Sequence, residues 1–166
     1  MSQHYINSSY REKLLEHIFV GELLKHSWLE RKCGLEVAKP EVDNSGYDLI
    51  AEERGIVRHI QLKASHSAAR TANQKVHIAL SEKPSGCIIW IHFSEETLDL
   101  GPFLFFGGLP GCPLPDLSAM KTAKHTKANA EGVKAERPSI RTVPKGSFHR
   151  VECIREIYEL LFGSGA

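Results

Sequence analysis

The sequence predicts an α/β fold, and three observations carry that reading. A helical pattern opens the chain over about Ser9–Ser27. The period then turns strand-like in two adjacent runs, Tyr47–Glu52 and Ile56–Ala64. A second helical pattern closes the chain from about Ser147. At 166 residues the chain is long enough to bury one real hydrophobic core, so a single domain over 1–166 is expected.

The first helix takes Ser8 or Ser9 as its N-cap. Phe19, Val20, Leu23 and Leu24 form one stripe at helical spacing, and Glu16 lies on it. A neighbouring stripe of Leu15, Ile18, Phe19 and Leu23 includes Glu22. Two carboxylates thus sit on or beside the buried face, which is costly unless something pairs with them.

A short strand, LEVAKP, and a turn-rich stretch, EVDNSG, follow. Glu53-Arg54-Gly55 joins the next two strands, and Gly55 supplies the positive φ of a tight hairpin. Residues 65–75 are small and polar and read as a loop. VHIALSEKPSG reads as a short helix ending before Pro84. CIIWIHF and PFLFFGG read as buried strands, the latter ended by Gly107-Gly108, and LPGCPLPDLS reads as loop. One short helix is expected near Leu117–Ala130, then an irregular arm. In the last helix Phe148, Val151, Ile154, Tyr158 and Leu161 make the apolar face, and Gly163 stops it.

The hairpin carries the candidate chemistry. Side chains alternate along a strand, so Gln61 and Lys63 share one face while Ile60 and Leu62 share the other. With Arg54-Gly55 as a two-residue loop, Glu53 pairs with Ile56 and Asp48 falls opposite Gln61. A three-residue loop would instead oppose Asp48 to Ile60. In the first register Asp48, Gln61 and Lys63 form one cluster. A carboxylate and an amide oxygen are hard ligands suited to Mg²⁺ or Mn²⁺, and the Leu62 backbone carbonyl adds a third oxygen. Such an ion polarises a phosphodiester and activates a water, which Lys63 would orient. Glu16 or Glu22, arriving from the packed helix, would bind through water or hold Lys63.

Each residue also has a plainer reading. Asp48 suits a turn cap after Ser-Gly-Tyr, and a lone Gln-x-Lys is more often the solvated face of a half-buried strand. The combination shifts the balance. Helix-Glu, Gly-Tyr-Asp-Leu, a hairpin and Gln-Leu-Lys-Ala-Ser, in that order, resemble the PD-(D/E)XK nuclease superfamily, which includes restriction endonucleases and Holliday junction resolvases. The resemblance covers about residues 12–93, with 94–166 as an extension. It implies a restriction endonuclease-like core, a mixed sheet flanked by helices in the order α-β-β-β-α-β. It also implies catalytic roles for Glu16, Asp48, Gln61 and Lys63, a metal held by Asp48, Gln61 and Leu62, and DNA as substrate. Glu16 fits the family's spacing to Ser27-Trp28, and Glu22 does not. Homodimers are frequent in that fold. Tyr47 stands where the name-giving motif has Pro, and Gln61 replaces a carboxylate, which removes a negative charge from the metal site.

Charge distribution points the same way. The formal net charge is +1, but residues 121–150 hold eight Lys/Arg against two Glu, a local excess of +6. Lys121, Lys124, Lys127, Lys134, Arg137, Arg141, Lys145 and Arg150 suit a duplex phosphate backbone. Within that segment aromatics are nearly absent before Phe148, so stacking on unpaired bases is not indicated. Ser65, His66 and Arg70 follow the site strand and are further candidates for phosphate contact. His59 would extend the cluster's face if the strand is regular. The nine histidines show no HxH or HExxH pattern, and the four cysteines form no CxxC pair, so a zinc site is not expected. MSQHYINSSYREK has no apolar run after a basic start, and no stretch of about 18 apolar residues exists. The expectation is a cytoplasmic protein with reduced thiols and no membrane contact.

Overall fold

The computed structural model describes residues 6–42 and 44–165. Helix α1 spans Ser8–Glu30. Strands β1 (Glu36–Ala38), β2 (Leu49–Glu53) and β3 (Ile56–His66) follow. Then come β4 (Asn73–His77), a 3₁₀ helix (Ile78–Glu82), β5 (Gly86–Phe93) and β6 (Leu100–Gly107). The chain ends with β7 (Lys121–Lys124), β8 (Glu136–Pro144), β9 (His149–Val151) and helix α2 (Ile154–Phe162).

Six strands form a mixed sheet in the order β1-β2-β3-β5-β6-β9. Only β3 and β5 run parallel. The fold is α/β, as the sequence predicts, and compatible with a nuclease-like core. The β3–β5 crossover is made by β4 and the 3₁₀ helix, where the family order has an α-helix. The extension is not separate: β6 pairs along β5, and β9 adds the far edge.

The two faces of this sheet are covered differently. Both helices lie on one face. Phe19 and Leu23 of α1 and Ile157, Leu161 and Phe162 of α2 pack there on Leu49, Ile60, Cys87, Ile89 and Phe103. The other face is covered by a three-stranded sheet, β4-β8-β7, and by the loop holding Leu114 and Leu117. Ile88, Trp90, Leu104 and Phe106 pack against that cover. So helices flank one face only. β5 is buried along its whole length, with alternate side chains feeding the two cores.

Several local expectations change. The helix expected near Leu117–Ala130 is absent, and the segment instead contributes β7 to a hairpin with β8. Pairing with β8, which is itself held on β4, decides this, because isolated apolar residues such as Ala123 set no helical period. Phe148 and Val151 precede α2: Val151 pairs with Phe103 at the sheet edge, and Phe148 packs on Trp90. Asn7, not Ser8 or Ser9, is the N-cap of α1, and its side chain makes no capping bond. Gly163, at φ 80°, ends α2 as expected. Part of the expected 65–75 loop is strand, since β3 runs to His66 and β4 begins at Asn73.

Candidate active site

The hairpin turn fixes the register on which the site depends. Arg54 and Gly55 both take positive φ, 52° and 79°, the pattern of a two-residue turn matched to strand twist. Glu53 pairs with Ile56, and the ladder continues to Leu49–Ile60. One step further, the Asp48 N–H donates to the Ile60 carbonyl at 2.8 Å. The expectation of a two-residue loop is therefore met, and Asp48 falls opposite Gln61.

β3 is longer than β2. Beyond Ile60 it pairs only with β5, from Gln61–Ile88 to His66–Phe93. Its other edge opens where β2 stops. Asp48 closes the first part of that edge: its Oδ2 accepts the Leu62 N–H at 2.7 Å. This bond fixes the carboxylate beside the strand without neutralising it.

A cleft of about 680 Å³ lies over this open edge. Asp48, Gln61, Leu62 and Lys63 form one wall and the N-terminal half of α1, including Glu16, another. β4 and β8 supply a third, with Lys75, His77 and Arg137. Gly46 permits that close approach: at φ 72°, its missing Cβ would lie 2.6 Å from the His77 Cβ. Arg11, Lys13, Lys63, Lys75 and Arg137 outnumber Glu12, Glu16 and Asp48 on the lining, so the cleft favours an anionic ligand.

All four residues expected to be catalytic thus line one cleft. Glu16 differs from expectation in its partners. It is buried, pairs with Lys13 at 3.0 Å and also contacts Lys39. Burial pushes its pKa up, but the hydrogen bonds and charges of Lys39 and Lys13 outweigh this and hold it below the ordinary value. Glu16 is therefore an ionised residue already matched by two cations. Glu22 lies outside the cleft lining, half-exposed beside Lys25.

Gln61 keeps an unsatisfied polar atom here. Its Oε1 is buried and has no hydrogen-bond partner. A buried acceptor without a donor costs about 1–3 kcal/mol, so this oxygen gains by taking a water or an ion as its partner. That oxygen beside a carboxylate fits a hard divalent cation that keeps most of its waters. Among the described residues no group of three His, Cys, Asp or Glu could hold a metal ion, so a cation here would depend on Gln61 Oε1 and a backbone carbonyl beside the one carboxylate of Asp48.

The candidates for phosphate contact divide. Arg137 lines the cleft. Lys121, Lys124, Lys127 and Lys134 are exposed on the β7–β8 hairpin and its loop, outside the lining, and so is Arg70 on the loop after β3. Arg141 turns back to the Pro138 carbonyl. Ser65 is corrected: it is buried, and its hydroxyl accepts the Trp90 indole N–H at 2.9 Å. Lys145 lies over the Trp90 ring, and Arg150 pairs with Glu152. His59 packs edge-on against Tyr47, and burial, with Lys83 nearby, lowers its pKa. Lys75 and His77 were missed by the sequence reading. Their signal is the alternation in Asn73–His77, too short to separate from loop.

No protein-family model matches the chain, and no curated protein does. Among solved structures it is similar to a bacterial homing endonuclease, I-Ssp6803I, at 26% identity and a TM-score of 0.26. The match covers 55% of this chain and 62% of that one, so the chain spans less than two thirds of that protein. A TM-score of that size carries no weight alone, and the functional reading rests on the cleft. No helix among the described residues is long and apolar enough to cross a membrane.

Proposed function

We propose that this chain is a divalent-metal-dependent nuclease that hydrolyses DNA phosphodiester bonds, a Gln-x-Lys variant of the PD-(D/E)XK type. The observation that carries this is the buried, unpartnered Gln61 Oε1, in one cleft with the Asp48 carboxylate and Lys63. Asp48, Gln61 Oε1 and the Leu62 carbonyl would hold Mg²⁺ or Mn²⁺. When bound, such an ion polarises a phosphodiester and lowers the pKa of a water. The Leu62 N–H keeps Asp48 aimed. Lys63 orients the attacking water and stabilises charge that grows on the phosphate. Lys75 and Arg137 hold the flanking backbone from the opposite wall, and the exposed lysines of the β7–β8 hairpin extend the contact along a duplex. The setting is cytoplasmic, with reduced thiols.

The test is plasmid nicking with Mg²⁺, with Mn²⁺ and with chelator. Cleavage should need metal and fall by about 10²–10³ in Lys63→Ala and Asp48→Ala, with DNA affinity largely kept. Metal-dependent cleavage that survives in both variants would sink the proposal. Gln61→Glu should tighten Mn²⁺ binding, because it restores a charge to the site.

One observation favours a second reading, a nuclease-fold module that binds DNA without cutting it. Among the described residues Asp48 is the one carboxylate on the open strand edge, and Glu16 on the facing helix is already matched by Lys13 and Lys39. Salt-dependent DNA affinity with no cleavage under either metal would select this reading.

A further inference from the structure

Helix α1 is apolar on two opposite sides. One side, with Leu15, Phe19 and Leu23, is buried in the core. The other carries Tyr10, Leu14, His17, Gly21, Leu24 and Trp28, at alternating spacings of four and three; Leu14 is half-buried in a small pocket that Leu98 also lines, and the other five are exposed. Tyr10 and Trp28 are each 75% exposed and Leu24 is 45% exposed. Among the described residues nothing covers Gly21: a Cβ there would meet no atom within 4 Å. A surface helix needs no such seam, and a glycine in mid-helix costs about 1 kcal/mol relative to alanine. Gly21 has neither a positive φ nor a crowded neighbour to require it.

We propose that this face pairs two copies of the chain through antiparallel α1 helices. The stripe is self-complementary about position 19. Tyr10 and Trp28 are equidistant from it, as are Leu14 and Leu24, and His17 and Gly21. A two-fold axis there sets each residue against its counterpart in the other copy. Tyr10 meets Trp28, Leu14 meets Leu24, and the His17 ring enters the space that Gly21 leaves. That matching is isologous, as a closed dimer requires. A partner of unrelated sequence would have no reason to find this symmetry.

Rim charges are compatible with the pairing. Lys13 and Lys25 flank the stripe, and each brings its own carboxylate, Glu16 and Glu22. The contact from Tyr10 to Trp28 runs roughly 27 Å. It covers four aromatic and four leucine side chains and removes roughly 1,000 Å² from water, about the minimum for a specific interface. The expected dimer is therefore reversible. It stands whether or not the cleft is catalytic.

Sedimentation equilibrium over a wide concentration range tests it. The wild type should show a reversible monomer–dimer equilibrium. Leu24→Glu with Trp28→Glu should be monomeric and retain its far-ultraviolet spectrum, because both positions are exposed. Gly21→Leu should weaken the dimer at least about tenfold by blocking His17, while its monomer melts no lower. A wild type that is monomeric throughout overturns the proposal. So does a dimer that these changes leave intact or that Gly21→Leu tightens. Should a variant misfold, cross-linking decides: mixed Tyr10→Cys and Trp28→Cys chains should form a 10–28 disulfide on mild oxidation, and its absence in peptide maps counts against the pairing.

Discussion

Glu53 is buried and Gln61 is half-buried with a buried Oε1; they lie at opposite ends of the same hairpin, and the chain treats them differently. Glu53 sits at the turn end and is 1% exposed. Arg31 donates to its Oε2 and the Tyr158 hydroxyl to its Oε1, each at 2.7 Å. The same Arg31 reaches the Gly163 carbonyl at the end of α2. Glu53 thus ties both helices to β2. Gln61 sits at the open end, where Oε1 has no donor. The completed network holds the fold together, and the incomplete one leaves an oxygen available to a ligand. That difference is the ground for the role proposed for Gln61.

Loss of cleavage in Lys63→Ala is the largest effect expected, and exchanging the hairpin's two ends comes next. Glu53→Ala should cost about 3–5 kcal/mol in urea unfolding, because it strands a buried Arg31. Gln61→Leu should lie within about 1 kcal/mol of wild type or be more stable, because it removes an unsatisfied acceptor. Its metal-dependent cleavage should nevertheless fall, though by less than in Lys63→Ala. If Gln61→Leu proves as damaging as Glu53→Ala, Gln61 is a structural residue and the contrast collapses.

The same contrast explains how much was legible in the sequence. The hairpin was readable because its turn chemistry and period-two alternation are local. Asp48, Gln61 and Lys63 followed from that register alone. The partners of Glu53 were not readable, since Arg31 at the C-cap of α1 and Tyr158 in α2 lie 22 and 105 residues away. Lys39, which contacts Glu16, was hidden for the same reason. The second sheet was also invisible. On β8 the buried residues are Ile140 and Val143, a spacing that matches no strand period. That strand forms because β4 and β7 pair with it over Ile88 and Trp90, and Lys75 and His77 enter the cleft with it.

Acid should loosen the turn end through its carboxylate. Burial raises the pKa of Glu53, but hydrogen bonds from Arg31 and Tyr158 and the charges of Arg31 and Arg54 outweigh it and hold it below 4.5. A lowered folded pKa gives stability that is present above the unfolded value and lost as pH falls through the folded one. Melting temperature should therefore drop as pH falls below the ordinary carboxylate range, with Glu16 contributing in the same direction. Glu53→Gln should be less stable at neutral pH and show a shallower acid slope. An unchanged slope would mean that Glu53 stays charged in the unfolding transition or was never paired.

The smallest effect expected concerns the sealed face of the sheet. Cys87 lies in its core beside Ile60, and burial pushes its thiol up to about 12. Cys33, Cys112 and Cys153 are exposed. A thiol reagent near neutral pH should modify those three quickly and Cys87 only after denaturation. Slow native labelling of Cys87 would report how often the helices lift from the sheet. If that rate rises in Glu53→Ala and stays at the wild-type level in Gln61→Leu, the turn end is what keeps this face closed. Equal rates in both variants would mean that the hydrophobic contacts of Phe19, Leu23 and Leu161 close it without help from the ion pair.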